Sequence, residues 1–294
     1  MTTNTDTSSL LLYYYCKKED FENIIKSKSL WLTRIIDSND SEEIKRTLRI
    51  IWGKIKGDVI EALKVDGVNF ESNIVMLEKE LQTYSFSLDD GYNQLLCACL
   101  TENRDLAQNW NEYGDHGNGY ALGFSHNLFC KIRNDVPFSS SLYESSIGYS
   151  KVYYEDNVLL KQLTETCIQA FKLKCGYPTY LTVLKTLISY SAIIKNPTYK
   201  DEREIRIIYY VDDLGKEGEN ASEITELEKS PIVHCSLPWV KSDGLCALRE
   251  IIIGRNSGVT KEEVQKILNQ NAINQSISIV ESEYSYQQSK NRKG

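Results

Sequence analysis

A short charged row that leads directly into an apolar run constrains the fold of this chain more than any other feature. Residues 202–206 read Glu-Arg-Glu-Ile-Arg, and residues 207–211 read Ile-Ile-Tyr-Tyr-Val. Side chains alternate between the two faces of a strand, so Glu202, Glu204 and Arg206 are expected on one face of a strand that continues to Val211. Burying three charges as simple packing is unfavourable. The row is therefore either the solvent-facing start of a strand or the charged part of a functional site.

The bulk composition limits the class of protein. Of the 294 residues, 41% are hydrophobic and 26% are charged, which is typical of a folded globular chain. The formal net charge of -7 lends no support to non-specific nucleic-acid binding. Residues 1–9 lack the pattern of a signal peptide. No apolar run reaches the roughly 18 residues that a membrane helix needs. We therefore expect a soluble, cytoplasmic protein that does not enter a membrane.

The cysteine and histidine spacings indicate no metal site. The eight cysteines include no Cys-x-x-Cys pair, and His116, His126 and His234 are isolated and form no metal-binding motif. Cys97 and Cys99 share one face of an apolar run, where buried free thiols are expected in a reducing compartment. A catalytic Cys–His pair has no local signature in this chain.

The predicted elements mix strands and helices without the regular alternation of a doubly wound sheet. Strands are predicted over residues 10–16, 30–33, 92–100, 119–124, 147–154, 204–211, 232–237, 248–254 and 276–280. Helices are predicted around residues 21–25, 42–60, 69–84, 105–113, 157–174 and 180–194, and after the capping box Thr260-x-x-Glu263. Neither a Gly-x-Gly-x-x-Gly motif nor a P-loop is present.

These elements predict a single α+β domain over residues 1–294 with mainly antiparallel sheets. A helical insertion is expected at about 42–90, where two helical patterns follow each other without a strand between them. A polar and loose tail is expected at about 284–294.

Four sequence blocks occur in an order and at a spacing that together resemble the bacterial domain-of-unknown-function family 2971. They are Tyr13-Tyr14-Tyr15-Cys16 with Leu30-Trp31-Leu32-Thr33; Asn39-Asp40-Ser41-Glu42-Glu43; Cys99-Leu100-Thr101 with Trp110-x-x-Tyr113 and Gly119-x-x-x-Gly123-Phe124; and Lys195 with Glu202-x-Glu204-x-Arg206 and Glu250-Ile251-Ile252-Ile253-Gly254. The resemblance covers residues 10 to 260. The chain departs from the family pattern at Tyr14, Ser41 and Asn109, where His, Pro and Met are common.

The resemblance implies an ADP-ribosyltransferase-like core, because the family layout is similar to that of these enzymes. In them, a first-strand motif grips the nicotinamide end of NAD and a late strand begins with a catalytic Glu. One branch carries this residue as the second carboxylate of a Glu-x-Glu motif, which corresponds here to Glu202-Arg203-Glu204. The analogy is at the level of the fold. It assigns Glu204 to stabilising the oxocarbenium-like state and Glu202 to orienting or deprotonating the acceptor.

The same resemblance suggests which side chains hold NAD. Tyr13 or Tyr15, with Tyr15 favoured, is expected to stack on nicotinamide, and Tyr14 is expected to bind ribose. Strand alternation places Tyr13 and Tyr15 on one face and Tyr14 on the other, so only one set can face a site. Trp110 and Tyr113 share one helix face, which is either core or ligand wall. Arg206 is expected to pair with a Glu or with the NAD phosphates. Asn39 and Asp40 either bind phosphate or ribose from a loop or simply cap a helix.

Three functions follow from these expectations. The first is a NAD-consuming ADP-ribosyltransferase-like enzyme, such as a toxin or phage-defence effector, with a protein or nucleic-acid acceptor and a regulatory protein or antitoxin as partner. The second is a NAD glycohydrolase. The third is a nucleotide-sensing or interaction module in which the charged row is a structural ion network. A transferase needs Glu202 and Glu204 open to a cleft, whereas salt bridges would lock these carboxylates in a sensor.

Overall fold

A computed structural model of the chain describes residues 11–34, 41–83, 94–125, 146–154, 157–173, 178–211, 228–230, 232–240 and 244–284. The predicted loop residues Asn39 and Asp40 lie outside the described residues, as does the predicted tail from residue 285 onward.

Twelve strands and seven α-helices make up the described residues. The strands are β1 (Leu11–Cys16), β2 (Ser29–Arg34), β3 (Gln94–Thr101), β4 (Tyr120–Ser125), β5 (Ser146–Lys151), β6 (Tyr153–Tyr154), β7 (Ile194–Lys195), β8 (Glu204–Val211), β9 (Glu228–Ser230), β10 (Ile232–Pro238), β11 (Leu248–Ile253) and β12 (Ser278–Glu281). The helices are α1 (Lys18–Ser27), α2 (Ser41–Val65), α3 (Glu71–Thr83), α4 (Ala107–Glu112), α5 (Asn157–Lys172), α6 (Thr179–Ser191) and α7 (Lys261–Gln270), with 3-10 helices over Asp115–Gly117 and Pro197–Glu202.

The α+β class with a mostly antiparallel sheet is confirmed. Ten strands form one open sheet, in which β11 and β12 are the parallel pair, and β6 and β7 form a separate two-stranded parallel sheet. The predicted strand 147–154 is wrong in one respect, because it is divided into β5 and β6. Strand β9 (Glu228–Ser230) is not among the predicted strands. An ADP-ribosyltransferase-like core stays a prediction.

Strand β3 is the point where the sheet forks. Along one edge it pairs with β8 over its whole length. On the other edge Cys97 pairs with Thr33 of β2, whereas Thr101 pairs with Tyr13 of β1. Beyond these contacts β1 continues beside β4 and β11, and β2 continues beside β10. The two branches of the sheet therefore diverge at the middle of β3.

One face of the sheet is covered by α1 and α7. Apolar residues of this face, such as Leu12, Leu100 and Leu122, pack in one core cluster with Phe21 of α1 and Val264 of α7. Helix α7 begins at the predicted capping box, in which the side chains of Thr260 and Glu263 each bind the other residue's backbone N–H. Burial of this face follows from the period-two apolar pattern of the strands.

The opposite face of the sheet has two separate covers. Helices α2, α3, α5 and α6 share a core cluster that includes Cys97 and Ile208 of the sheet. Helix α4 covers another part, where Trp110 packs in a cluster with Tyr13 and Tyr15. The predicted helical insertion thus contains α2 and α3, which pack with α5 and α6 rather than apart from them. A polar strip lies on the same face and contains the candidate site.

The strip follows one register row across five strands. The row runs through Glu250, Gly123, Tyr13, Thr101 and Glu204, which pair in this order from β11 to β8. Residues that are directly paired in antiparallel strands share a face, so the two glutamates at the ends of the row lie on the same side of the sheet. Within the described residues, no helix is both long enough and apolar enough to cross a membrane.

Candidate functional site

Four buried charged side chains form a network at the β8 end of this row, and we refer to Lys195, Glu202, Glu204 and Arg206 as the tetrad. Lys195 Nζ lies 2.8 Å from Glu202 Oε2 and 3.4 Å from Glu204 Oε2. Arg206 donates from Nε to Glu204 Oε1 at 2.7 Å and from Nη2 to Oε2 at 3.1 Å. It also donates from Nη1 to the Ala192 carbonyl at 2.7 Å. Two cations and two anions make the tetrad neutral.

The prediction that Glu202 stands in the strand is wrong. Glu202 ends the 3-10 helix Pro197–Glu202, and Arg203 has a left-handed φ of 44°, so the strand begins at Glu204. Alternation along β8 does place Glu204 and Arg206 on one face, where they bind each other. Glu202 reaches the same place by a turn, and both carboxylates meet at Lys195.

Side chains from the end of β3 fix the turn that carries Glu202. Thr101 Oγ1 donates a hydrogen bond to the Glu202 carbonyl at 2.6 Å, and Asn103 Nδ2 donates to the same carbonyl at 3.2 Å. At the start of the 3-10 helix, the Asn196 side chain accepts from the Thr198 backbone N–H at 3.0 Å, and Pro197 follows the cap. The backbone of the turn is thereby held against the sheet.

Lys195 is the fourth member of the tetrad. It stands in the fourth sequence block of the family resemblance, but no role was predicted for it. It lies in β7, which pairs with β6 in parallel, and its Nζ sits 4.7 Å from the centroid of the Tyr199 ring. Burial would lower the pKa of Lys195, but the charges of Glu204 and Glu202 outweigh burial and raise it. The sequence signal that could have indicated a buried, functional Lys195 was its position as a single lysine at the end of the apolar run 192–194.

The environment separates the pKa values of the two carboxyl groups. Burial raises the pKa of Glu202 above its ordinary value, against the hydrogen bond and charge of Lys195. Burial also acts to raise the pKa of Glu204, but the charge and hydrogen bonds of Arg206, with the charge of Lys195, lower it to about 2. Two neighbouring carboxyl groups with pKa values moved in opposite directions are the arrangement that acid–base chemistry uses.

Accessible side chains flank the tetrad. Tyr113 is 44% exposed and Tyr199 is 36% exposed. Burial, followed by the charge of Glu202, raises the pKa of Tyr113. Gln108 Nε2 lies 3.5 Å from Glu202 Oε1, and the Glu204 N–H donates to the Tyr154 hydroxyl at 3.3 Å. Aromatic and amide groups therefore border the four charges.

The structure brings four of the predicted site residues together, namely Glu202, Glu204, Arg206 and Tyr113. Tyr15 and Trp110 instead belong to the apolar cluster under α4, with ring centroids 4.9 Å apart in an edge-on arrangement. The Tyr15 hydroxyl accepts from the Leu106 N–H at 3.1 Å. Tyr14 lies on the opposite face of the sheet, against the core cluster shared with α1 and α7.

A second charged cluster lies at the β11 end of the row and was not predicted from the sequence. It consists of Tyr13, Arg104 and Glu250, and we call it the Glu250 brace. Arg104 donates to Glu250 from Nε and from Nη2, each at 3.0 Å, and the Tyr13 hydroxyl donates to Glu250 Oε2 at 2.9 Å. The Tyr13 ring crosses β4 at Gly123, where a Cβ atom would lie only 2.9 Å from Tyr13 Cε1. Gly123 therefore makes room for this contact.

Potential metal ligands do not cluster in the described part of the chain. No group of three or more His, Cys, Asp or Glu side chains there is placed to hold a metal ion. Six cysteines of the described residues are free thiols; Cys99 is exposed, and Cys16, Cys97, Cys167, Cys235 and Cys246 are buried.

Comparison with known families places this site within a recognised sequence segment. The family described as Protein of unknown function (DUF2971) matches residues 109–207. The resemblance to this family is therefore confirmed over a segment that contains all four residues of the tetrad. No curated protein and no solved structure matches the chain.

Proposed function

We propose that the protein is a NAD-consuming, ADP-ribosyltransferase-like enzyme that breaks the bond between nicotinamide and ribose at the tetrad. The observation that carries this proposal is the carboxyl pair Glu202 and Glu204, which share Lys195 and have pKa values moved in opposite directions. Cleavage of an N-glycosidic bond passes through an oxocarbenium-like state, for which one fixed anion and one proton carrier are suited.

The two carboxyl groups take different roles in this mechanism. Glu204 remains ionised near neutral pH because its pKa is about 2. A fixed negative charge stabilises the positive charge that develops on the ribose only in the transition state. Glu202, with its raised pKa, accepts a proton from the attacking group as a general base. Lys195 and Arg206 hold both carboxylates in place, and in this account they do not bind the phosphates.

The accessible groups around the tetrad supply the binding surface. Tyr113 and Tyr199 offer partly exposed rings on which the flat nicotinamide can stack. The Gln108 amide, beside Glu202, can bind a ribose hydroxyl or the carboxamide. Tyr15, Trp110, Asn39 and Asp40 stay predictions for the remainder of the NAD molecule, whereas Tyr14 lies on the opposite face of the sheet from the tetrad and is not proposed to bind it. A toxin or defence role, and a regulatory protein or antitoxin as partner, belong to the same proposal.

A nucleotide-sensing or interaction module is the second candidate. It is favoured by the observation that both oxygens of Glu204 are already bound, by Arg206 at 2.7 and 3.1 Å and by Lys195 at 3.4 Å. The Glu202 and Glu204 side chains are both buried and held in salt bridges, which is the arrangement expected of a sensor. A carboxylate that is fully paired is available to a substrate only if one partner yields. In this second function NAD or a related nucleotide binds beside the tetrad and is not cleaved.

Nicotinamide release by the purified chain separates the two candidates. The wild type is incubated with NAD, with and without cell lysate as a source of acceptor, beside Glu204→Asp and Glu204→Gln. Glu204→Asp keeps the charge of the tetrad but withdraws the carboxylate, so it tests position without leaving the cations unpaired. Glu250→Gln is the matched control, since Glu250 is another buried glutamate that an arginine binds through both oxygens.

The enzyme proposal expects release by the wild type and by Glu250→Gln, and a loss of about 100-fold or more in Glu204→Asp. Calorimetric titration with NAD covers the second candidate. Binding of NAD without nicotinamide release identifies a sensor. If the protein neither binds NAD nor releases nicotinamide, both proposed functions are rejected. Glycohydrolase and transferase activity are distinguished by whether free ADP-ribose accumulates.

A further inference from the structure

Cys99 occupies the fork of the sheet. On the divided edge of β3, β2 pairs at Cys97 and β1 pairs at Thr101, and no strand of the described residues pairs with residues 98–100 on that edge. Cys97 and Thr101 are buried, whereas the Cys99 side chain between them is exposed. An exposed cysteine inside a strand of an otherwise covered sheet is unusual, because free cysteine is among the most buried residue types.

The Cys99 thiol faces the tetrad. Cys99 pairs directly with Arg206 across β3 and β8, so the Cβ atoms of these two residues lie about 4.5–5.5 Å apart. Glu204 is the next residue of β8 on the same face, and the neighbouring Cys99 thiol is among the groups that lower the pKa of its carboxyl group. A ribose that is bound by Glu204 would therefore present its reacting carbon within reach of the Cys99 sulfur.

The neighbouring thiol is placed to take the proton of Cys99. Cys97 and Cys99 lie on the same face of β3, and their interaction lowers the pKa of Cys97 and raises the pKa of Cys99 well above its ordinary value. The Arg206 charge also acts to lower the pKa of Cys97. Cys97 is therefore the thiol that ionises first, and its thiolate lies beside the Cys99 thiol. Thiolates are the reactive form of cysteine in transfer chemistry.

We propose that Cys99 is itself an acceptor for the group transferred at the tetrad, so that the protein attaches ADP-ribose to its own Cys99. This inference rests on the proposed function. The bond between the nicotinamide nitrogen and ribose C1′ breaks, and nicotinamide leaves as a neutral base with the electron pair. The Cys99 sulfur forms the new sulfur–C1′ bond as its proton passes to the Cys97 thiolate, which later releases it to solvent. The step requires no oxidant or reductant.

Mass spectrometry of the intact chain after incubation with NAD tests this proposal. The expected result is a gain of one ADP-ribose per chain, which peptide mapping locates at Cys99. Cys99→Ser is expected to lose the adduct. Cys235→Ser is the matched control, since Cys235 is buried and lies on the opposite face of the sheet. This control is expected to keep the adduct.

Three further results would overturn the inference, and each has a distinct meaning. Nicotinamide release without an adduct, or with an adduct at another residue, rejects Cys99 as acceptor and leaves the proposed function intact. An adduct that also forms from free ADP-ribose, or in Glu204→Asp at the wild-type rate, is chemical rather than catalysed. Absence of both release and adduct rejects the proposed function and this inference together.

Discussion

The tetrad and the Glu250 brace each contain an arginine–glutamate pair on the same face of one sheet. The two sites differ in how far the arginine is exposed to solvent. In each, an arginine binds both oxygens of a buried glutamate. The Arg104 side chain is 44% exposed, whereas the Arg206 side chain is 9% exposed. Arg104 keeps water as an alternative partner. Arg206 has only the groups within the protein.

This difference determines what each pair does for the fold. A buried ion pair gains little over an apolar pair of the same shape, but removal of one partner leaves an unpaired buried charge and is strongly destabilising. A pair that is partly exposed contributes little, because water replaces the lost partner. The Glu250 brace therefore acts mainly as a link between β1, β11 and the loop that carries Arg104. The tetrad is a set of charges that only its own members satisfy.

Removal of one carboxylate from each pair gives the largest expected contrast. Glu204→Gln leaves Arg206 and Lys195 buried beside a single anion, and we expect a loss of about 3–5 kcal/mol in the free energy of unfolding. Glu250→Gln is expected to lose about 1–2 kcal/mol, because Arg104 turns to solvent. Urea denaturation of both variants measures the difference. Equal losses would show that exposure of the arginine does not govern the cost.

The pH dependence of stability should come mainly from the tetrad. The pKa of Glu204 is lowered in the folded chain from its ordinary 4.5 to about 2, so its contribution is complete above pH 4.5 and is lost as the pH falls toward 2. A shift of this size corresponds to about 3 kcal/mol. Glu202 opposes this trend. Because its pKa is raised in the folded chain, the folded state binds a proton at a higher pH than the unfolded state does, which favours folding as the pH falls.

Comparison of the wild type with Glu204→Gln isolates the contribution of Glu204 to this pH dependence. The difference in free energy of unfolding should be constant near neutral pH and should narrow as the pH falls below about 4.5. Urea denaturation of both proteins at a series of pH values measures this trend. A difference that stays constant down to pH 3 would contradict the lowered pKa of Glu204.

Replacement of the arginines by lysine tests geometry rather than charge. Arg206→Lys keeps the positive charge but loses the two-pronged contact with Glu204 and the bond to the Ala192 carbonyl, at an expected cost of about 2 kcal/mol. Arg104→Lys is expected to cost less than about 1 kcal/mol. Denaturation midpoints of the two variants check this. A larger loss of stability in Arg104→Lys than in Arg206→Lys would contradict the expectation that the buried arginine contributes more to stability.

A further small effect on stability is expected from the space under the Glu250 brace. Gly123→Ala places a methyl group 2.9 Å from the Tyr13 ring and 3.2 Å from Glu250 Cβ, and displacement of these groups should cost about 1 kcal/mol or more. Gly53 in α2 is the control, because nothing lies within 4 Å of an added Cβ there. Gly53→Ala should stabilise the chain by up to about 1 kcal/mol. Thermal unfolding compares them, and a neutral Gly123→Ala would mean that Tyr13 moves freely.

Local sequence rules predicted most of the elements and three of the four tetrad residues, of which Glu204 and Arg206 were placed correctly. The alternation of β8 places Glu204 and Arg206 together, and the capping box places the start of α7. The period-two rule failed at Glu202, because it holds only inside a strand. A 3-10 helix and a left-handed Arg203 precede β8, and a positive φ at arginine carries no sequence signal.

The remaining site residues depend on contacts between distant parts of the chain. Arg104 and Glu250 are 146 residues apart, and Lys195 is placed by the pairing of two short strands. The fork at β3 likewise depends on which strands compete for one edge, which local periodicity does not specify. Such contacts are set by the packing of the whole sheet, so a single sequence read locally does not reveal them.

Nicotinamide release tests the central claim most directly. The wild-type chain is incubated with NAD beside Glu204→Asp and Glu250→Gln, with folding of each variant verified by denaturation under the same conditions. The proposed mechanism predicts release by the wild type and by Glu250→Gln and a loss of about 100-fold or more in Glu204→Asp. No release by the wild type, even when cell lysate supplies an acceptor and a regulator, or equal release by Glu204→Asp, would contradict it.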